Sequence, residues 1–333
     1  MKGVLWVFSK IYLVLIVLRK FFYKIKIFKC HQLSVPVISV GNLTMGGVGK
    51  TPLIEYIAQV LKKKGIQPVI LMRGYMEGNV DGRIQNSDEA IMLRNILADI
   101  PVLVGADRVR NAKEFEKRNK VSIFLLDDGF QHWPLARTMD IVAIDVTNPW
   151  GNGHLLPRGI LREPKSALGR VHIFVLTKTD LGAHEPEKLK ADLKTINPSA
   201  LIVETVHKPV LFSDIRSGKD LDLISVYGQR IFPVCGIGDP DSFVRTLKKL
   251  GVQIDEQFTF MDHHRYELSD VVRITKLCQD KSITTIVTTE KDAVKLRHFL
   301  NIFPDDIRIL SLKIKIFIIN KEGQFLERIS DIL

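Results

Sequence analysis

An α/β fold, doubly wound around a mostly parallel sheet, is the class this chain predicts, and three observations predict it. Apolar and β-branched runs of strand length recur along the chain and alternate with stretches of helical period. A glycine-rich turn ending in Lys-Thr stands between the first such run and the first such helix. An apolar share of 46% against 26% charged lets 333 residues bury a sizeable core, about two domains' worth. The three cysteines, Cys30, Cys235 and Cys278, lie far apart. That excludes a disulfide scaffold and a clustered Cys/His zinc site, and it suits a reducing compartment.

The first segment is set apart by charge. Lys and Arg number 48 against 37 Asp and Glu, a net charge of +11, and residues 1–54 contain no acid before Glu55. Their bases (Lys2, Lys10, Arg19, Lys20, Lys24, Lys26, Lys29 and Lys50) are interleaved with Trp6, Phe8, the run Ile11–Leu18 and Phe21-Phe22-Tyr23. Nucleic-acid binding is one explanation of a basic segment, but a basic, aromatic-rich and strongly apolar one fits an anionic membrane surface better. The apolar stretch falls short of the ~20 residues of a bilayer span. No small-residue cleavage site follows it, only Arg19-Lys20-Phe21-Phe22, so a cleaved signal peptide is rejected. Residues 1–32 therefore predict a membrane-associated helix lying in the interface, with the following chain in the cytoplasm. The rivals are a marginal span, with Lys10 snorkelling to the surface, and a helix packed on its own domain.

Pro36-Val37-Ile38-Ser39-Val40 reads as a buried strand running into Gly41-Asn42. A helix follows from about Pro52, with Ile54, Ile57, Ala58 and Leu61 on one face, Lys62-Lys63-Lys64 in its last turn and Gly65 ending it. Pro68–Met72 is a second strand, and Ser87 is placed to cap a helix reaching about Ala98. Pro101–Val104, Val121–Leu126, Met139–Asp145 and Val171–Leu176 are further strands. The mixed, polar stretch 207–230 marks a boundary, dividing a core at 33–206 from a smaller C-terminal α/β lobe at 207–333. There the rhythm resumes with strands Ile231–Cys235, Val252–Phe260 and Ile283–Thr288 and helices near 240–250 and 269–279. Leu310, Leu312, Ile314 and Ile316 alternate with polar residues, as in a half-exposed edge strand.

Thr44-Met45-Gly46-Gly47-Val48-Gly49-Lys50-Thr51 has the context a phosphate-binding loop requires: strand, glycine-rich turn, Lys-Thr, helix. Glycines let backbone N–H groups turn toward phosphate oxygens, and the helix N-terminus adds partial positive charge. Lys50 would reach the β- and γ-phosphates and the Thr51 hydroxyl a Mg²⁺ ion. Thr44 stands where the usual pattern begins with glycine. The fold class is thereby narrowed to a P-loop NTPase type. Val121–Leu126 delivers Asp127-Asp128 to the C-terminal edge of the sheet beside this loop, where a carboxylate can hold Mg²⁺ opposite Thr51. Thr177-Lys178-Thr179-Asp180 resembles the guanine-reading loop of GTPases. The D-x-x-G switch is absent, however, because Leu126 stands where its Asp would fall.

Taken in order across about residues 36–295, the motifs resemble one family, the tetraacyldisaccharide 4'-kinases of lipid A biosynthesis. The matching pieces are residues 36–44 with the GGxGKTP continuation, Arg73-Gly74-Tyr75, Asp88-Glu89-Ala90 and Asp107-Arg108. Leu126-Asp127-Asp128-Gly129-Phe130-Gln131-His132, Leu155-Leu156-Pro157, Leu161-Arg162-Glu163-Pro164 and Gly236-Ile237-Gly238 follow. Asp262-His263-His264-Arg265-Tyr266 and Thr288-Thr289-Glu290-Lys291-Asp292-Ala293 complete the set. Met76 and Ser87 depart from the family's usual glycines. The resemblance implies ATP, Mg²⁺ and transfer of the γ-phosphoryl group to the 4'-hydroxyl of a tetraacylated glucosamine disaccharide 1-phosphate, at the cytoplasmic face of a bacterial inner membrane. It implies Asp107 as general base, His263 as its orienting partner, and Asp127, Asp128 and Glu163 in the metal and nucleotide neighbourhood. Asp107 by itself reads as the N-cap before Arg108. Arg108, Arg158 and Arg162 are candidates for neutralising phosphate charge, and Gln131 and His132 for support. A membrane-associated GTPase and a non-catalytic ATP-binding scaffold are the alternatives.

Overall fold

The computed structural model describes residues 2–74, 88–181, 186–262 and 264–333. Ser87, expected to cap a helix, and His263 lie outside the described residues. The chain forms two compact units, Met1–Val206 with Ile316–Leu333, and His207–Lys315.

In the first unit, α1 (Lys2–Lys24) precedes β1 (Val37–Asn42), α2 (Lys50–Lys63), β2 (Pro68–Met72), α3 (Asp88–Ile96), β3 (Val102–Val104) and α4 (Arg108–Glu116). Then come β4 (Ile123–Asp127), β5 (Met139–Asp145), β6 (Ile173–Thr177), α5 (Pro186–Ile196) and the start of β7 (Leu201–Asp214). The strand order is β7-β6-β5-β1-β4-β2-β3, and the paired strands are parallel. Alternation within each strand feeds two cores. Ile38, Val40, Leu125 and Ile141 pack toward Leu53, Ile57 and Leu61 of α2 and Leu93 of α3. Val37, Phe124 and Leu126 pack toward Val109 and Ala112 of α4, and Val142 and Phe174 toward Leu189 and Leu193 of α5. Helices thus cover both faces of the sheet, as continuous apolar strands require.

The second unit continues β7 and adds β8 (Asp220–Leu221), β9 (Phe232–Cys235), α6 (Pro240–Lys249), β10 (Phe258–Thr259), α7 (Leu268–Asp280), β11 (Thr285–Thr289), α8 (Glu290–Leu296) and most of β12 (Arg308–Ile318). Its order is β10-β9-β11-β12, again parallel, with cores on both faces. The strand expected over 252–260 is broken: Gln253 forms an isolated parallel bridge with Arg230, Phe258–Thr259 pairs with β9, and between them Asp255 and Glu256 form ion pairs with Arg230 and Lys281.

Three expectations need correction. The boundary does fall at the start of 207–230, between Val206 and His207, but within a strand, since β7 runs on to Asp214. Within 207–214 only Phe212 is buried, and His207, Lys208, Pro209, Ser213 and Asp214 give the stretch its polar reading. The strand β12 is not at an edge; it pairs with β11, and Leu310, Ser311 and Leu312 are all buried. Nor does the C-terminal lobe run to residue 333. Ile316 and α9 (Glu322–Ser330) return to the first unit, where Phe325 and Ile329 join the core under α2 and Tyr56 donates to Glu322 (2.5 Å).

The N-terminal helix, expected as a separate segment 1–32, belongs to the first unit. One stripe of it faces protein: Ser9 is buried, and Tyr12, Ile16, Lys20 and Tyr23 are partly covered. The rest of α1 exposes Val4, Leu5, Val7, Phe8, Ile11, Val14, Leu15, Val17, Leu18 and Phe21. Among the described residues no helix is long and apolar enough to cross a membrane.

Candidate active site

The phosphate loop sits between β1 and α2 at the C-terminal edge of the sheet, where β1 separates β5 from β4. Gly46 (φ 112°) and Gly49 (φ 82°) take left-handed conformations that other residues rarely adopt. A Cβ on Gly46 or Gly47 would meet nothing within 4 Å among the described residues. Thr44 is buried and pairs with Leu161, the Met45 N–H donates to the Ile160 carbonyl (2.8 Å), and the Val48 carbonyl accepts from the Thr177 hydroxyl (3.0 Å). Lys50, the first residue of α2, points back over the loop and donates to Asn42 Oδ1 (3.2 Å). Thr51 follows it in the helix's first turn, where orphan N–H groups and the dipole favour an anion.

Two glycines bring the acids alongside. A Cβ on Gly41 would stand 2.6 Å from Phe130 Cβ, and one on Gly129 would stand 2.7 Å from Ser39 Oγ. Only glycine lets the turn after β4 cross β1 this closely. Asp127 ends β4 inside the protein. Burial raises its carboxyl to about 7, against the pull of Lys50, and its Oδ1 has no hydrogen-bond partner among the described residues. Asp128, at φ 47°, turns outward. Burial works against its ionisation, but Lys50 (3.5 Å) and Arg162 (2.7 and 2.8 Å) outweigh it and hold its pKa below the usual range.

Glu163 does not join these acids as an open ligand. It is buried, with Lys20 at 2.7 Å and Arg170 at 2.9 Å claiming its oxygens. Asp107 is exposed at the N-cap of α4, where its Oδ1 accepts from the Arg110 N–H (2.9 Å). Arg108 behind it is buried, donates to the Asp127 carbonyl (2.7 Å) and reaches His132 Nδ1 (2.9 Å). Burial, then Arg108, Arg137 and Arg19, push His132 down to about 3, so it is neutral. Gln131 donates to the Asn42 carbonyl (3.0 Å). Arg158 is not among the walls of the cavity these groups enclose.

That cavity, about 470 Å³, is walled by Met45 of the loop, Ala106 and Arg108 flanking Asp107, Asp128, His132, Trp133, Arg162 and Glu163, and Arg73. Its remaining wall is α1, through Tyr12, Ile16 and Arg19. Four guanidinium groups against two carboxylates make it a site for a polyanion. Sequence reasoning missed Asn42, Arg170, Lys20 and Tyr12. Of these only Asn42, directly after a buried strand and before the glycine loop, carried a local signal.

Whether the residues suit ATP and Mg²⁺ is answered by two features. The glycine cradle is open and ends at a helix N-terminus. Asp127 offers a buried carboxylate oxygen with no partner among the described residues, close enough to feel the charge of Lys50. No group of three His, Cys, Asp or Glu side chains converges among the described residues. Mg²⁺ needs no such cage, since it takes one or two carboxylates with water and substrate phosphates. Thr177 supports the loop and Lys178 pairs with Asp145 (2.5 Å), so the GTPase-like tetrapeptide is tied into the sheet edge here.

Comparison with known proteins follows the same line. The family model described as LpxK, tetraacyldisaccharide-1-P 4'-kinase, matches residues 1–333. The tetraacyldisaccharide 4'-kinase of Halothermothrix orenii is 36% identical over 329 residues, covering 92% of this chain and 84% of that protein. The protein of the same name in Syntrophus aciditrophicus is 38% identical over 310 residues, covering 87% and 83%. A crystal structure of LpxK from Aquifex aeolicus in complex with ATP superposes with a TM-score of 0.76 at 26% identity, covering 99% of both chains. A whole-chain model match, relatives above 30% identity and this geometry agree: the chain belongs to the tetraacyldisaccharide-1-P 4'-kinase family.

Proposed function

We infer that this chain is an ATP-dependent lipid kinase that moves the γ-phosphoryl group of ATP to the 4'-hydroxyl of a tetraacylated glucosamine disaccharide 1-phosphate in lipid A biosynthesis. One observation carries the reading. A cation-rich cavity has Met45 of the phosphate loop and Asp128, which faces Lys50, on one side and, on the other, a helix whose outer surface is apolar. A water-borne triphosphate and an acceptor anchored in lipid would meet there.

Lys50 and the loop amides hold the triphosphate and stabilise the charge that gathers on it in the transition state. Asp107 takes the proton of the attacking hydroxyl; its helix cap uses Oδ1, which leaves Oδ2 to accept. The family resemblance assigns His263 to orient or assist Asp107; His263 lies outside the described residues. Thr51 and Asp127 would hold Mg²⁺, with Asp128 and Glu163 shaping its neighbourhood through Lys50, Arg162, Lys20 and Arg170; the ion would offset charge on the β- and γ-phosphates. Arg108 and Arg162 add further positive charge toward the acceptor. The exposed face of α1, flanked by Lys10, Arg19 and Lys24, rests in the interface at the cytoplasmic face of the bacterial inner membrane.

Incubation with γ-labelled ATP, excess GTP and the dispersed acceptor tests this. Label recovered on the lipid, little affected by GTP, is expected. GTP-preferring hydrolysis independent of lipid, or nucleotide binding without turnover, would overturn it.

A further inference from the structure

Lipid adhesion requires only the outer face of α1, yet its inner face is bonded with unusual specificity to one segment, residues 155–163. The Ser9 hydroxyl donates to the Leu155 carbonyl (3.0 Å), the Tyr12 hydroxyl to the Arg162 carbonyl (3.1 Å), and Lys20 pairs with Glu163 (2.7 Å). Ser9, Tyr12 and Lys20 fall at i, i+3 and i+11, one stripe of the helix.

The far side of the same segment supports the phosphate loop. Met45 N–H donates to the Ile160 carbonyl (2.8 Å), and Arg162 N–H donates to the Leu43 carbonyl (2.8 Å). Arg162 is therefore held through its N–H by the strand entering the loop and through its carbonyl by α1. Its guanidinium then closes on both oxygens of Asp128, which also faces Lys50. Lys20 does similar service one residue on. Glu163 is 2% exposed, and Lys20 supplies one of its two counter-charges. The other is Arg170, stacked between the rings of Phe130 (3.7 Å) and Trp133 (4.8 Å) in the turn after the paired aspartates. Removing one partner of a buried ion pair leaves a charge that the surroundings must move to solvate.

We propose that Tyr12 and Lys20 are positioning residues for phosphoryl transfer: through them α1 holds residues 155–163 so that Arg162 stays on Asp128 beside Lys50. This rests on the reading of that cavity as the transfer site. It makes α1 part of the catalytic framework as well as a lipid contact, and the two roles belong to opposite faces. Burial keeps the Tyr12 hydroxyl protonated, so it remains a donor at working pH.

The test uses the full-length protein with acceptor dispersed in detergent, where membrane capture is not limiting. Lys20→Met should lower kcat by about tenfold, the scale expected when a reacting geometry is loosened by a fraction of an ångström. Tyr12→Phe should lower it by about two- to tenfold, one hydrogen bond's worth. Lys20→Arg should restore kcat to within about twofold of the parent, and co-sedimentation with anionic vesicles should be unchanged in all three. Melting temperatures check folding, and Tyr12→Phe, which removes one oxygen, carries the test where Lys20→Met proves unstable. Full kcat in Tyr12→Phe and Lys20→Met while Lys50→Ala is inactive would overturn the positioning role and leave the site standing, as would a Lys20→Arg protein as slow as Lys20→Met. An active Lys50→Ala protein would instead remove the site reading itself.

Discussion

The helices α1 and α2 both carry apolar residues at helical spacing, and both border the phosphate loop, but they use these features in opposite senses. In α2, Leu53, Ile54, Ile57, Ala58 and Leu61 are buried in the core, and the helix offers its end, with Lys50 and Thr51, to the anion. In α1 most of the apolar residues face out, the polar Ser9, Tyr12 and Lys20 face in beside Ile16, and the helix offers its flank to the cavity. Apolar periodicity alone shows that a helix has a greasy face. It is the partners of the polar residues that show which way that face points.

Breaking the end of α2 should give the largest effect. Lys50→Ala should abolish transfer, as single-turnover label transfer at saturating ATP will show; a near-normal rate would remove the loop from the mechanism. The end of α4 comes next. Asp107→Ala should lower kcat by about 10²–10⁴-fold with little change in ATP affinity. An unchanged kcat would leave Asp107 only its cap. The two apolar faces are compared by matched truncations. Ile57→Ala should cost about 2–5 kcal/mol of stability, measured as a fall in melting temperature. Val14→Ala should stay within about 0.5 kcal/mol and instead weaken vesicle binding. Equal destabilisation by both would make α1 an ordinary core helix.

A pH-dependent effect concerns what Lys50 faces. Asp127 binds its proton more tightly folded than unfolded, its carboxyl being raised to about 7. Between about pH 4 and pH 7 the folded state therefore holds the extra proton, and stability falls as pH rises through that window. Asp127→Asn should flatten this fall, so that the variant melts higher than the parent at about pH 8 and the gap closes toward about pH 5. Parallel melting curves would show that Asp127 is already paired.

What could be read from residues alone was local. The passage from Val37 through Gly49-Lys50-Thr51 into α2, and the delivery of Asp127-Asp128 by β4, each depend on one strand and one turn. The Asp107 cap is likewise written in adjacent residues. The partners of Glu163 were not legible, since Lys20 lies 143 positions before it and nothing in either neighbourhood marks the pair. Arg162 on Asp128 is similarly remote. Ser311 looked like the wet side of an edge strand because strand order, which buries it, is a property of the whole sheet. The return of Phe325 and Ile329 to the core under α2 was hidden for the same reason.

The most direct measurement offers labelled ATP with two acceptors, the tetraacyl disaccharide 1-phosphate and its 4'-deoxy analogue. The account predicts label at the 4' position of the first and none on the second. Equal labelling of both, or release of label as free phosphate whether or not acceptor is present, would contradict it.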